Sequence, residues 1–250
     1  MKIKWGKLLR KGKAMFLAYD QGMEHGPSDF DDENVNPLDI ISIAEKGKFT
    51  GLIVQKGIAE KYNAEIRKSR VPLILKLNGK TNLFKGEPIA RQLCSVREAR
   101  KLGARAVGYT IYIGSDYEDE MAQEFERIQR EAHKFRMPVV AWVYPRGRSV
   151  KGKSKIKLMA YAARFGLEAG ADIVKLNYFG EMKDLKWAVK SAGRCKVVVA
   201  GGVKKNEREL MKQVGEIMVS GCSGIAIGRN VWQADEPLNA AEKIRNVVFR

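Results

Sequence analysis

The chain has 250 residues, 45% hydrophobic and 30% charged, and its 46 Lys and Arg oppose 29 Asp and Glu for a formal net charge of +17. This balance excludes a disordered tail or a collagen-like chain, and no stretch approaches the roughly 20 apolar residues of a membrane span. The length suits one large domain over residues 1–250, since α/β barrels reach about 250 residues as a single unit. The opening Met1-Lys-Ile-Lys-Trp-Gly-Lys7 is basic but lacks the apolar run and cleavage site of a signal peptide, so a soluble cytoplasmic protein is expected. Cys94, Cys195 and Cys222 match neither a disulfide framework nor a zinc site. His25 and His133 are too few for a three-histidine centre, so no protein-held metal is expected. The charge admits three readings: nucleic-acid binding, a small phosphorylated substrate, or a Lys- and Glu-rich solvated surface with only 7 Gln and 10 Asn.

Short β-branched apolar runs alternate with longer segments of helical period. In chain order the runs are Ala14–Asp20, Gly51–Gln55, Pro72–Asn78, Ala106–Ile113, Pro138–Tyr144, Asp172–Asn177, Lys196–Gly201 and Gly224–Gly228. Helices are predicted between them, including Glu118–Lys134, Lys157–Ala169, Met182–Ala192 and Glu207–Ser220. Strict alternation implies right-handed βαβ units on a parallel sheet. Eight units in this length predict an α/β fold, a closed (β/α)8 TIM barrel, rather than an open doubly wound sheet. Chemistry in such barrels sits at the C-terminal ends of the strands, and phosphate often docks after strands seven and eight.

The first strand ends in Asp20, followed by a loop that carries His25 and Asp29. A carboxylate ending an apolar strand is costly unless it is hydrogen-bonded or working, the bland alternative being an Asx turn before Gly22. His25, in a Gly/Pro loop, is either a turn residue or a ligand contact. Asp29, Asp31, Asp32 and Glu33 read as a loop rather than a metal site. On strand five, alternation puts Val140, Trp142 and Tyr144 on one face, with Arg146 just above; the Tyr144 hydroxyl needs a partner and is placed to exchange a proton.

Strand six carries Lys175 in Asp172-Ile-Val-Lys-Leu-Asn177, where Ile173, Lys175 and Asn177 share a face. A lysine facing the barrel interior loses solvation and becomes a nucleophilic amine able to form a Schiff base; the alternative is a buried salt bridge. Strand three repeats the Lys-x-Asn ending at Lys76 and Asn78, and spacing does not choose between the two. Position favours Lys175, which neighbours Tyr144 and the strand-seven loop, while Lys76 across the mouth is a second cation able to depress its partner's pKa. Lys56, just past strand two, is a weaker third.

Strand seven ends in Ala200-Gly201-Gly202 and strand eight in Gly228-Arg229. Glycines there let backbone N–H groups close on an anion, with an arginine adding positive potential, so phosphate binding is favoured over two tight turns. Lys151, Lys153, Lys155 and Lys157 read as a solvated loop beyond Arg146 and Arg148. The acidic run Asp116–Glu126 reads as the first turns of a helix.

With these pieces placed, the chain resembles the archaeal-type class I fructose-1,6-bisphosphate aldolases, in a family that also holds DhnA-like enzymes. The resemblance rests on Asp20 with His25-Gly-Pro-x-Asp29, Trp142-x-Tyr144-Pro-Arg-Gly147, Ile173-Val-Lys175-x-Asn177, Ala200-Gly-Gly202 and Gly228-Arg229. It implies Lys175 as the Schiff-base lysine, Tyr144 as the proton donor and acceptor, Asp20 as an assisting carboxylate and Trp142 as a residue shaping the site. It also implies substrate contacts from His25, Asp29, Arg146 and the strand-six Asn177, and phosphate held by Ala200, Gly201, Gly202, Gly228 and Arg229. The implied substrate is a phosphorylated sugar, with no cofactor beyond the covalent imine, and the implied assembly is a homo-oligomer, a decamer in some relatives. The family includes 2-amino-3,7-dideoxy-D-threo-hept-6-ulosonate synthases, and Trp142 tilts the resemblance toward the bisphosphate. A nucleic-acid partner is not expected, because the basic residues are scattered from Lys2 to Arg250 among acids rather than gathered in one stripe.

Overall fold

The computed structural model describes residues 3–250. Met1 and Lys2, which open the expected domain and its basic first segment, lie outside the described residues. Eight parallel strands close into a barrel in sequence order: β1 Ala14–Ala18, β2 Gly51–Gln55, β3 Leu73–Lys76, β4 Ala106–Ile113, β5 Val139–Pro145, β6 Ile173–Leu176, β7 Lys196–Ala200 and β8 Gly224–Ile227. All eight fall on the apolar runs of the sequence; β2 and β4 match theirs, β5 runs on to Pro145, and the other five are shorter. Asp20 thus lies two residues past β1, in the loop, and Asn177 and Asn78 lie past β6 and β3.

Helices fill the connections. They are α1 Gly22–His25, α2 Pro37–Lys46, α3 Lys56–Lys61, α4 Asn63–Ser69, α5 Val96–Lys101, α6 Glu118–Lys134, α7 Lys155–Glu168, α8 Met182–Ser191, α9 Glu207–Val219, α10 Arg229–Trp232 and α11 Pro237–Val248. Their starts are chemically marked. Asn36 caps α2 ahead of Pro37, Ser95 and Glu98 form a reciprocal capping box on α5, and Asn206 caps α9. The acidic Glu118, Asp119 and Glu120 occupy the first turn of α6, where carboxylates suit the helix dipole.

Period-two alternation divides the apolar side chains between two cores. Outward residues such as Leu17, Leu52, Leu75, Val143, Val174 and Ile225 pack against the helices. Inward residues Phe16, Ile53, Ile74, Val140, Trp142, Ile173 and Val198 fill the barrel, and Leu8 from the turn Gly6–Leu8 packs with them from the N-terminal side. Trp142 is 1% exposed, and the interior admits it only because β4 offers Gly108: a Cβ there would lie 1.7 Å from Trp142 Cζ3. Two residues past β3, Asn78 is fully buried. Its amide donates to the Ala90 and Thr110 carbonyls at 2.8 and 2.9 Å, and its side-chain oxygen accepts from Thr110 N at 2.8 Å. It latches β3 to β4.

Gly108→Ala is expected to displace the indole and overpack the barrel, costing about 1–3 kcal/mol and lowering Tm by several degrees, as measured by thermal unfolding with tryptophan fluorescence. An unshifted Tm with unchanged emission would mean that Trp142 is not held against β4.

Candidate active site

The C-terminal strand ends surround a cavity at the barrel mouth. Its space comes from small residues, because Ala18, Ala200 and Ala226 line it on β1, β7 and β8, where longer inward side chains would fill it. Trp142 bounds it from β5. The ladder pairs Trp142 with Lys175 across β5 and β6, so both occupy one inward layer, and the Lys175 ammonium lies 5.1 Å from the indole centroid. Lys76 approaches the same ring from β3 at 5.9 Å.

The two Lys-x-Asn motifs end in different states. Lys76 Nζ sits 3.1 Å from Asp20 Oδ2 in a buried ion pair, whereas Lys175, 5% exposed, has no ion-pair partner among the described residues. Burial pushes the Lys175 pKa down from 10.5 to about 8; Asp20 opposes that fall and Lys76 reinforces it. At neutral pH this gives roughly 300 times more free amine than an unperturbed lysine. Burial alone would raise the Asp20 carboxyl, but Lys76 and Lys175 outweigh it and hold the group ionised, below the usual carboxylate range. The second halves of the motifs diverge as well: Asn177 lines the cavity, while Asn78 is the structural latch described above.

Tyr144 stands beside this layer. Burial, and next the Asp20 charge, push its phenol well above 10, so it carries its proton at neutral pH. The Arg146 guanidinium lies over the rings of Tyr144 and Tyr112, 5.6 and 5.4 Å from their centroids. Arg146 Nη1 donates to Glu24 Oε1 at 2.5 Å. Burial disfavours the charge on each, yet the pairing wins: the Glu24 pKa falls and that of Arg146 rises. Glu24 lines the cavity from α1, and the sequence reading did not single it out.

His25 also lines the cavity, with Nδ1 2.5 Å from Asp29 Oδ2. Asp29 does not wall the cavity. Its second oxygen, Oδ1, accepts from Arg229 Nη1 at 3.4 Å, so the carboxylate stands one step back and braces two residues that do face the cavity. The Ala200-Gly201-Gly202 and Gly228-Arg229 segments form the far wall. Gly202 has φ +75°, a left-handed conformation that favours glycine. Asn230, absent from the expected site, is buried between the two loops. Its amide donates to the Gly201 and Val203 carbonyls at 3.1 and 2.9 Å and its oxygen accepts from Lys205 N at 2.8 Å. The signal for it was its place directly after Gly228-Arg229. Two polar side chains at the cavity, Trp142 through Nε1 and Gln21 through Nε2, bury a donor with no acceptor among the described residues.

The remaining sequence expectations fall outside this cluster. Lys151, Lys153, Lys155 and Lys157 are exposed, but only the first two lie in the loop expected for all four; Lys155 and Lys157 open α7. Arg148 pairs with Asp116, and Lys56 pairs with Glu98 at 3.0 Å away from the cavity. The three cysteines are buried free thiols. Among the described residues no cluster of three or more His, Cys, Asp or Glu side chains is placed to hold a metal ion, and no helix is long and apolar enough to cross a membrane.

The arrangement is similar to that of known aldolases. Residues 14–234 match the family model described as "DeoC/LacD family aldolase". The chain is 49% identical over 243 residues to the class 1 fructose-bisphosphate aldolase of Thermoproteus tenax, spanning 96% of this chain and 91% of that protein. It is 30% identical over 242 residues to 2-amino-3,7-dideoxy-D-threo-hept-6-ulosonate synthase 1 of Archaeoglobus fulgidus, across 97% of this chain and 88% of that one. A solved structure of an archaeal fructose-1,6-bisphosphate aldolase, whose catalytic lysine is covalently bound to the carbinolamine intermediate of the substrate, superposes with a TM-score of 0.91. That structure is 46% identical and covers 98% of each chain. The family match along most of the barrel, together with relatives of this identity and coverage, establishes that the chain belongs to the DeoC/LacD family of aldolases.

Proposed function

We propose that the protein is a class I aldolase that reversibly cleaves fructose 1,6-bisphosphate to dihydroxyacetone phosphate and glyceraldehyde 3-phosphate through an imine on Lys175. The carrying observation is the state of Lys175, a buried amine with its pKa lowered to about 8 and no ion-pair partner among the described residues, on the strand between that of Tyr144 and the one leading into Gly201-Gly202. The 49% identity to a bisphosphate aldolase, against 30% to the heptulosonate synthase, favours the bisphosphate as substrate.

In this reading the free amine of Lys175 adds to the C2 ketone, and loss of water leaves a protonated imine. The C3–C4 bond then breaks, its electron pair moving toward the iminium nitrogen to give an enamine, while ionised Asp20 accepts the C4 hydroxyl proton and the aldehyde departs. Tyr144, protonated because its pKa lies far above neutral, delivers a proton to C3 of the enamine; hydrolysis of the resulting imine releases the ketone and restores the amine. In the synthetic direction Tyr144 takes that proton back. Asp20, ionised and close to both lysines, assists proton transfer around the carbinolamine and stabilises the iminium charge. Backbone N–H groups of Gly202 and of the Gly228-Arg229 segment hold the ketone-side phosphate, with Arg229 adding charge, while the Gly201 N–H is spent on the Ala226 carbonyl at 3.0 Å. Arg146 faces the aldehyde-side phosphate. Trp142 and Gln21 offer their unpartnered donors to sugar oxygens, His25 contacts substrate, and Asn177 completes the wall. A cytoplasmic homo-oligomer without a nucleic-acid partner is the setting we infer.

Borohydride reduction in the presence of dihydroxyacetone phosphate is expected to trap a covalent adduct on Lys175, located by peptide mass spectrometry and absent from Lys175→Met. Label on Lys76, or cleavage that survives in Lys175→Met, would sink the assignment. Tyr144→Phe is expected to lower carbon–carbon cleavage by about 10²-fold or more while imine trapping persists; retained cleavage would remove Tyr144 from proton transfer. The pH dependence of imine formation follows from the lysine pair. Because the reactive form is the free amine, the rate should climb with pH to a plateau above about 8. Lys76→Met removes a cation that depresses the Lys175 pKa and frees Asp20 to raise it. The midpoint should therefore move to higher pH, with slower trapping at pH 7. An unmoved or acid-shifted midpoint in stopped-flow trapping would deny Lys76 that influence.

A further inference from the structure

We propose that Glu24 acts as a stand-in anion at the aldehyde-side phosphate position, holding Arg146 over Tyr144 until a phosphorylated substrate displaces it, and so tempers the preference for phosphorylated aldehydes. The inference rests on the aldolase reading above and concerns a residue that reading does not use.

The Glu24 side chain is 14% exposed and makes the 2.5 Å contact to Arg146 Nη1 across 122 residues of sequence. It reaches there from α1, which is pinned from the other side: Asn82 N, in the loop after β3, donates to the Glu24 carbonyl at 2.9 Å. Arg146 is half-exposed, and its guanidinium lies over the rings of Tyr144 and Tyr112. A carboxylate and a phosphate compete for the same planar set of guanidinium donors. The one strong cation placed at this edge of the cavity is therefore already occupied by an anion of the protein's own. A neutral aldehyde has nothing to exchange for Glu24 and leaves the pair closed. A phosphate carries more charge and more acceptor oxygens and can take Arg146 away.

Displacing a mostly buried carboxylate is tolerable only where another cation receives it. The surroundings supply one: Lys80, in the loop tied to α1, is coupled to the Glu24 charge. Lys80 Nζ is held only by the Thr81 carbonyl at 2.8 Å and the Asn82 side-chain oxygen at 3.3 Å, neutral partners that it can exchange for a charge. Glu24 thus has somewhere to go, and the exchange swaps one ion pair for two.

The test measures condensation of dihydroxyacetone phosphate with glyceraldehyde 3-phosphate and with unphosphorylated glyceraldehyde, in wild type, E24Q and E24D. Without a competing carboxylate, E24Q is expected to lower KM for glyceraldehyde 3-phosphate. The ratio of kcat/KM for the phosphorylated over the plain aldehyde should rise by about threefold or more, the scale of one partly exposed ion pair. E24D, which keeps the charge on a shorter arm, should fall between wild type and E24Q, and it carries the comparison should E24Q not fold. A ratio that stays constant or falls in the variants would overturn the proposal and leave Glu24 as a support for α1. A wild-type protein that condenses neither aldehyde would instead refute the aldolase reading itself.

Discussion

The constraint on which the site depends is the crowding of three cations, two of them buried lysines, at one barrel mouth with too few carboxylates to pair them. Lys175, Lys76 and Arg146 share Asp20 and Glu24, and both carboxylates are themselves largely out of water. Taking an ammonium out of solvent costs several kcal/mol unless it is paired or loses its proton. Asp20 pairs with Lys76 and Glu24 with Arg146, so the shortage falls on Lys175. The unpaired lysine is the one whose proton is held least tightly, and that is the property an imine-forming amine needs. The π-face of Trp142 softens the cost of the charged form without supplying a full negative charge, so it does not undo the depression.

A closed barrel makes such a shortage stable. Strand register fixes which side chains share a layer, and the pairing of Trp142 with Lys175 and of Gln55 with Lys76 sets both lysines inward with no freedom to turn toward solvent. The layer is then shaped by omission. Gly108 lets the indole lie flat against β4, while Ala18, Ala200 and Ala226 leave space on the opposite strands. The loops that face this space are held by polar struts rather than by apolar packing: Asn230 between the β7 and β8 loops, and Asp29 between His25 and Arg229. Each strut spends hydrogen-bonding groups on fixing other residues, and neither needs to touch a ligand to matter.

What the sequence made legible follows from which physical signals are local. Strand and helix periods are local, and the eight strands emerge on the eight apolar runs. Glycines and an arginine at the last two strand ends are also local, because the barrel dictates where strand ends point. The identical Lys-x-Asn endings of strands three and six could not be separated by spacing, since the difference lies in which lysine Asp20 reaches, a choice made across the barrel. Glu24 stayed hidden for the same reason: its partner is 122 residues away, and α1 is four residues long, too short for any period to show. Asp29 was visible as a loop carboxylate, but that it braces His25 and Arg229 from behind depends on a contact 200 residues distant.

The net charge of +17 contributes less than its size suggests, because most of it lies on exposed lysines and arginines that salt screens and nearby acids offset. The charges that matter must also serve opposite demands within one turnover. Lys175 has to be neutral to attack a ketone and positive once it has become an iminium. Burial and Lys76 favour the neutral form, and if they acted alone the iminium would be penalised by the same desolvation that made the amine reactive. Asp20 resolves this. It opposes the depression of the Lys175 pKa only in part, because its charge is already shared with Lys76, yet it stays ionised and close when the iminium forms. A carboxylate bound to Lys175 alone would stabilise the ammonium and idle the amine; with no carboxylate, the charged intermediate would be unsupported. In the proposed reaction the shared carboxylate is the compromise, and it gives the second lysine a part through its pairing with Asp20.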